Sequence, residues 1–416
     1  MMVLYDLFFY LSDLPRWHIF AVFLVGYFVY YLIEVVKRPI LAVDEGPFKQ
    51  YLLKNVPMLQ LKFWPTFWCC ESRAQTVFAS LLRQQVLPSL NYRRELLTLK
   101  DGGEIALDWS ERNCTDESPV ILILPGLTGA SQSEYIKCLV SAANGIGARV
   151  VVFNNRGLGG VALKTPRLYS AANVEDLSEV LQHLRKSYPN SKMGATGISM
   201  GGLVLGNYLS RHSEESRNIF TACKIISVPW DVQKGTVSIE KPYLNSMLGK
   251  HLTSRLCHTL SQYEILNKSR HDIDFDQILK SKTIKEFDSN FTSKHFGYKD
   301  VDHYYSVATL HNKLHKISVP LLCLSAADDP FQPLEAIPTI AAEQSSHVAI
   351  VVTARGGHIG FMEGVWPKTG DEYMARLFTQ YFCSTLFDDE FKNVTENMLK
   401  TYPRHPDQDP VDLSSN

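Results

Sequence analysis

The 416-residue chain has no excess of either charge, since 42 Lys and Arg stand against 43 Asp and Glu for a net charge of −1. It therefore lacks the broad basic footprint on which nucleic-acid binding depends, and no nucleic-acid partner is expected. The eight cysteines (Cys69, Cys70, Cys114, Cys138, Cys223, Cys257, Cys323 and Cys383) contain no CxxC pair. That pattern excludes a dense disulfide framework and gives no zinc-ligand set, so no metal or cofactor is expected. Internal repeats and low-complexity tracts are also missing. What is present is ordinary globular composition, 45% apolar and 20% charged, in a length that fits one large domain with an insertion or two smaller ones. Four N-x-S/T sequons, at Asn113, Asn267, Asn290 and Asn393, carry weight only in a lumenal protein.

The longest apolar run is 17–33, flanked by Arg16 and by Lys37-Arg38. Its Ile, Leu, Phe and Val residues favour insertion by very roughly 3 to 6 kcal/mol, whereas Glu34 costs about 3 kcal/mol at a bilayer centre and less near an end. Extended through Val35 and Val36, the run reaches the length that crosses a hydrocarbon core. A cleaved signal peptide would begin with basic residues and end at a small-x-small site; Asp6 and Asp13 precede this run and Val-Lys-Arg-Pro follows it. The expectation is a retained single-pass anchor over about 17–36, within an anchor segment 1–38. Lys37-Arg38 favour a cytosolic catalytic domain by the positive-inside rule.

Residues 39–90 read as a connector holding Phe63, Trp64, Phe67 and Trp68, a cluster that either presses on the membrane or covers the core, with core preferred. Cys69 and Cys70 are read as buried thiols in preference to acylated ones. A hairpin follows at 95–109, turning at Asp101-Gly102-Gly103. Short apolar runs at 120–124, 149–153, 192–196, 224–228, 319–325 and 347–353 read as buried strands. They alternate with helix-like stretches at 134–144, 174–187 and 203–211. This order implies an α/β fold with a mostly parallel central sheet and helices on both faces, over 91–390. The long interval of about 232–316, rich in charged and aromatic residues, fits a helical cap insertion. Residues 391–416 read as a tail.

Gly197-Ile198-Ser199-Met200-Gly201 sits between a strand and a helix, the setting of a nucleophile elbow: a strained turn lifts Ser199 out while the glycines let strand and helix approach. A serine hydroxyl is a weak nucleophile and needs a base held by a third group. His358, in Gly356-Gly357-His358-Ile359-Gly360, follows the strand at 347–353. Asp328 and Asp329 follow the strand at 319–325, in the order serine, acid, histidine that an α/β-hydrolase fold requires. Asp329 is preferred for its spacing to Pro330 and Pro333, with Asp328 as the alternative acid. The oxyanion donors are expected at the amides of Met200 and Leu127, the latter in Pro125-Gly126-Leu127-Thr128-Gly129. Asn154-Asn155-Arg156-Gly157 is read as a brace of the site, and His295-x-x-x-x-Asp300, with acyltransferase spacing, as coincidental.

Leu-Pro-Gly-Leu-Thr-Gly (124–129), Phe-Asn-Asn-Arg-Gly (153–157), Gly-Ile-Ser-Met-Gly-Gly (197–202), Ala-Asp-Asp-Pro-Phe (327–331) and Gly-Gly-His-Ile-Gly-Phe (356–361) together resemble a known group. It is the AB hydrolase 4 family of membrane-anchored serine hydrolases, and within it the abhydrolase domain-containing types one and three. The resemblance runs from the anchor to about residue 385. It implies hydrolysis of acyl esters in glycerophospholipids, with phosphatidylcholine for the type-three branch, membrane lipids as substrate and surroundings, and a type II topology with a lumenal hydrolase domain. Other readings are a carboxylesterase or acylglycerol lipase, an acyltransferase, and an anchored binding protein without catalysis.

Overall fold

Alternation along each central strand sorts its side chains into two separate cores. Val120, Leu122 and Leu124 enter one core while Ile121 and Ile123 enter the other, and Val348, Ile350 and Val352 part from Ala349 and Val351 in the same way. Period-two alternation puts successive side chains on opposite faces, so an all-apolar strand demands cover on both. That cover is helical. Glu175–Ser187 and Met200–Arg211 pack into the first core, and Glu134–Gly145 and Tyr373–Leu386 into the second. The computed structural model describes residues 15–263, 273–366 and 372–401. Sequon Asn267, part of the cap at 264–272 and the tail beyond 401 lie outside them.

The sheet has nine strands: β1 (Ile40–Ala42), β2 (Arg93–Thr98), β3 (Glu104–Ser110), β4 (Val120–Leu124), β5 (Arg149–Asn154), β6 (Met193–Ile198), β7 (Ala222–Ile226), β8 (Leu321–Ala326) and β9 (Val348–Thr353). Their order is β1-β9-β8-β7-β6-β4-β5-β3-β2. All neighbours from β5 through β9 pair in parallel, whereas β2–β3, β3–β5 and β1–β9 are antiparallel. This is the α/β-hydrolase fold. β6, β8 and β9 lie in the parallel part, so their carboxyl ends open on one edge, where ligands of such sheets bind.

Residues 39–90, expected as a connector, are built into this unit. β1 adds an edge strand to β9, and the helix Pro47–Asn55 buries Phe48, Tyr51 and Leu52 in the second core. The helix Ser72–Val86 lies against the loop after β9. The aromatic cluster divides: Phe63 is buried against Tyr373, whereas Trp64 and Trp68 are exposed. Cys69 and Cys70 are buried, and all eight cysteines are unpaired. The stretch 391–401, expected as tail, belongs to the helix Glu390–Thr401 and buries Phe391 and Met398.

Between β7 and β8 the chain is helical among its described residues. Val232–Ile239, Leu244–Ser261 and Val301–Ala308 are the longest segments, and a small core around Leu256, Leu260, Ile278, Phe287 and Phe291 holds the interval together. The helix Arg16–Tyr30 continues as a π-helical turn, Tyr31–Val35. Together they form a 20-residue span long and apolar enough to cross a membrane, with most of its side chains exposed. Its last turns dock on the domain. Tyr31 Oη donates to the Pro65 carbonyl, and Tyr31, Val35, Val36 and Cys70 form a small buried cluster.

Candidate active site

Ser199 occupies the turn between β6 and the helix Met200–Arg211, with φ 52° and ψ −118°, a left-handed conformation that a residue with a side chain adopts only under constraint. The glycines around it explain how the turn survives. A Cβ on Gly197 would meet the Gly201 carbonyl oxygen at 2.4 Å, and one on Gly201 would meet the Leu124 carbonyl oxygen at 2.2 Å. Strand and helix therefore cross at backbone contact, and the serine hydroxyl projects from the top of the sheet.

His358 reaches that hydroxyl from the loop after β9. Its Nε2 lies 3.0 Å from Ser199 Oγ, and its Nδ1 lies 2.9 Å from Asp329 Oδ2 and 3.1 Å from Oδ1. The imidazole and the carboxylate are only 9% and 3% exposed, so little water competes for either bond. Asp329 is aimed by the Phe331 N–H, which donates to Oδ1 at 2.8 Å, and the Phe331 ring covers the imidazole at 4.2 Å. Asp328 points elsewhere. Its Oδ1 accepts the Gly357 N–H at 3.0 Å, and burial pushes its carboxyl up to about 7 against the opposing pull of that amide and of Arg355. The geometry thus brings Ser199, His358 and Asp329 into one hydrogen-bonded line and puts Asp328 behind the histidine loop.

Gly126 packs on the serine, where an added Cβ would stand 3.2 Å from Ser199 Cβ. Its own N–H donates to Tyr135 Oη at 3.0 Å, and the Gly129 N–H donates to the Gly126 carbonyl at 2.9 Å. These bonds fix the loop and leave Leu127 facing the site. Leu127, Met200, Ser199 and His358 all line one cavity of about 580 Å³, whose wall is mainly apolar.

Three residues that support the site sit on the helix Ser72–Val86, within the stretch expected as a connector. Thr76 Oγ1 accepts the His358 N–H at 2.9 Å, and Gln75 Oε1 accepts the Met362 N–H at 3.2 Å. The buried Arg83 donates to the Ile359 and Gly360 carbonyls and pairs with Glu372. The loop 356–361 has Gly357, Ile359 and Phe361 at positive φ, so these outside bonds hold it in a shape it would not keep alone. No local signal marks Gln75 or Arg83 as inward-facing, because burial of such residues is decided by what stands opposite.

Arg156, in the stretch read as a brace, is buried and pairs with both Asp101 and Asp176, while Asn154 links Asp108 to the Ser131 N–H. Neither lines the cavity. His295 stacks on Phe291 and Asp300 caps the helix Val301–Ala308, and neither lines the cavity with Ser199.

A serine held in a strained strand-to-helix turn, an imidazole 3.0 Å from its hydroxyl and a carboxylate behind the ring make up the candidate site. Residues 119–365 match the family model of the alpha/beta hydrolase fold, and the chain belongs to that family. It is a hydrolase acting on esters. Over 365 residues it is 40% identical to mouse Phospholipase ABHD3, covering 86% of this chain and 87% of that protein. It is 35% identical to Caenorhabditis elegans Protein abhd-3.2, covering 76% and 83%. Human Monoacylglycerol lipase ABHD2 is 24% identical over 78% of this chain and 80% of its own length.

Proposed function

We propose that the chain is a membrane-anchored serine hydrolase that cleaves an acyl ester of glycerophospholipids, with phosphatidylcholine as the leading substrate. The observation that carries the reading is the line Asp329–His358–Ser199 at the base of an apolar cavity. Ser199 Oγ attacks the ester carbonyl carbon as His358 Nε2 takes its proton. Asp329 holds the imidazole in the tautomer that leaves Nε2 free to accept, and stabilises the cation that forms. The amides of Leu127 and Met200 receive the oxyanion. The tetrahedral species collapses to an acyl-Ser199 ester, and the leaving lysolipid oxygen takes the proton from His358. Water, deprotonated by His358, then releases the fatty acid.

The head group has a reader in the same cavity. Of its lining residues, Arg83 is paired with Glu372 and Asp288 is bonded to Thr292 and Tyr305, whereas Arg255 and Glu134 have no ion-pair partner among the described residues. Glu134 adjoins Tyr135, whose hydroxyl supports the Gly126 amide. A cation and an anion lining one cavity complement a zwitterionic phosphodiester better than an uncharged glycerol. Removing a charge-assisted contact to phosphate costs about 1.5–3 kcal/mol, or roughly ten- to a hundredfold. Arg255→Gln is expected to raise KM for phosphatidylcholine by that factor while changing KM for monoacylglycerol less than threefold. Equal losses on both lipids would favour an acylglycerol lipase. Ser199→Ala should abolish labelling by a fluorophosphonate probe, and surviving label would refute the nucleophile.

The helix over Arg16–Val35 is the proposed single-pass anchor, supported by its length and exposed apolar surface. Family resemblance favours a lumenal domain and Lys37-Arg38 a cytosolic one. Asn113 is exposed, so its glycosylation in cells, read by glycosidase-sensitive mobility, distinguishes the two.

A further inference from the structure

A band of exposed apolar side chains runs from the N-terminal helix to the opening of the Ser199 cavity. Phe67 packs against Tyr27 and Tyr31 of the helix, at 4.9 and 5.0 Å between ring centres. The adjoining Trp68 lies 6.0 Å from Phe78 and 6.4 Å from Trp366. Phe78 belongs to the helix Ser72–Val86, whose Val77 and Leu81 both line the cavity and stand exposed, which puts them at its mouth. On the other side of the mouth is the helix Leu244–Ser261, tied to the first by Arg73 Nε donating to Asn245 Oδ1 at 2.8 Å. It lines the cavity with Leu248 and Leu252 and exposes Met247 (65%), with Tyr243 (86%) just before it. Large apolar residues scattered singly need no explanation, but a contiguous patch marks an interaction surface.

The docking of the N-terminal helix indicates what covers this patch. At 1.5 Å per residue, the 20-residue span is about 30 Å long, just the thickness of a hydrocarbon core. Among the described residues, the first hydrogen bond or ring contact between this helix and the domain is at Tyr27, and residues 22–26 before it, about 8 Å, are exposed. That length cannot cross a bilayer by itself. If the whole span is buried in lipid, the surface beside Tyr27 and Tyr31 is buried with it, to roughly 10 Å below the level of Glu34 and Lys37. Exposed Lys250, in the same helix as Met247, and exposed Lys241, just before that helix, suit the head-group layer, where long basic side chains reach back to water.

We infer that the mouth of the cavity is sunk into one leaflet of the bilayer that the helix spans, with Trp68, Phe78, Trp366, Tyr243 and Met247 in contact with acyl chains. A lipid then enters sideways and never crosses water. The inference rests on the proposed anchor, and its test separates the two.

The full-length protein is placed in phosphatidylcholine vesicles and washed with alkaline carbonate; release into the supernatant overturns the anchor reading itself. For protein that stays, tryptophan quenching by doxyl-labelled lipid and by aqueous iodide is compared with that of the Trp68→Phe/Trp366→Phe variant. The double substitution is expected to remove a lipid-quenched component and leave iodide quenching unchanged; removal of an iodide-quenched component overturns the inference. Tyr243→Glu/Met247→Glu should raise KM for vesicle phosphatidylcholine at least tenfold, while hydrolysis of a dissolved short-chain ester stays within twofold. An equal fall on both substrates, or no change on either, counts against it. So does a shift in mass by cross-linking in detergent, since that would assign the patch to a second copy of the chain.

Discussion

Exchanging the two adjacent acids for their amides separates the roles that the geometry gives them. In Asp329→Asn the side-chain oxygen is retained by the Phe331 N–H, which now donates to Oδ1 at 2.8 Å. The new NH2 group then faces His358 Nδ1 in place of Oδ2, which stands at 2.9 Å. Nδ1 becomes the acceptor, the ring proton moves to Nε2, and Nε2 can no longer take the Ser199 proton. A wrong-tautomer lesion of this kind lowers kcat about 10⁴-fold, equivalent to about 5 kcal/mol of transition-state stabilisation. In Asp328→Asn the amide oxygen can still accept the Gly357 N–H, so turnover is expected within tenfold of wild type. Stability separates the two further. Burial holds the Asp328 carboxyl at about 7, above its ordinary 3.8, so the fold favours the neutral form. Wild type therefore loses stability as pH rises from about 4 to about 7, and the deficit is complete above that window, with an upper bound of roughly 4 kcal/mol. The amide is neutral throughout and escapes the loss. Steady-state turnover of a dissolved ester and thermal unfolding at pH 4 and pH 8 measure both effects. An inactive Asp328→Asn beside an active Asp329→Asn would refute the assignment, and a Tm gap that fails to open at pH 8 would refute the electrostatics.

Gly201→Ala puts a methyl group 2.2 Å from the Leu124 carbonyl oxygen and 2.5 Å from that of Pro125, both backbone atoms that cannot swing aside. It should cost about 3 kcal/mol or more in urea unfolding, against no measurable change for Gly26→Ala, which meets nothing within 4 Å. Lys224, buried in β7, has no hydrogen-bond partner for Nζ among the described residues and sits 5.9 Å from the Tyr381 ring centre. Burial lowers its amine to about 7, so wild type loses stability as pH falls from about 10.5 to about 7. Lys224→Met should raise Tm most at pH 6 and progressively less as pH rises above about 7, and a pH-independent change would contradict the account.

Much of the sheet is legible because buried parallel strands are short continuous apolar runs. The run 120–124 coincides with β4, and those at 149–153 and 347–353 fall within a residue of β5 and β9. β1 has no such signature. Ile40–Ala42 is three residues long, and it is a strand only because β9 offers an open edge more than 300 residues later. The helix Ser72–Val86 shows the same limit within the site. It turns Gln75 and Arg83 inward and Phe78 outward, the reverse of what polarity predicts. The inversion makes sense only beside the carbonyls of Ile359 and Gly360, which need donors, and beside the cavity mouth.

The candidate acid marks the boundary most sharply. Local chemistry alone determines that Ser199 lies in a strained turn, because Gly197, Gly201 and Gly202 permit a backbone crossing that larger residues would block. Chain order likewise singles out His358 as the candidate base. Asp328 and Asp329, however, are chemically identical neighbours after one strand. Only the folded turn, with the Phe331 amide on one carboxylate and the Gly357 amide on the other, decides which of them meets the imidazole. Residue type and spacing are local properties and can be read along the chain, but the direction of a carboxylate depends on donors that the fold brings from elsewhere.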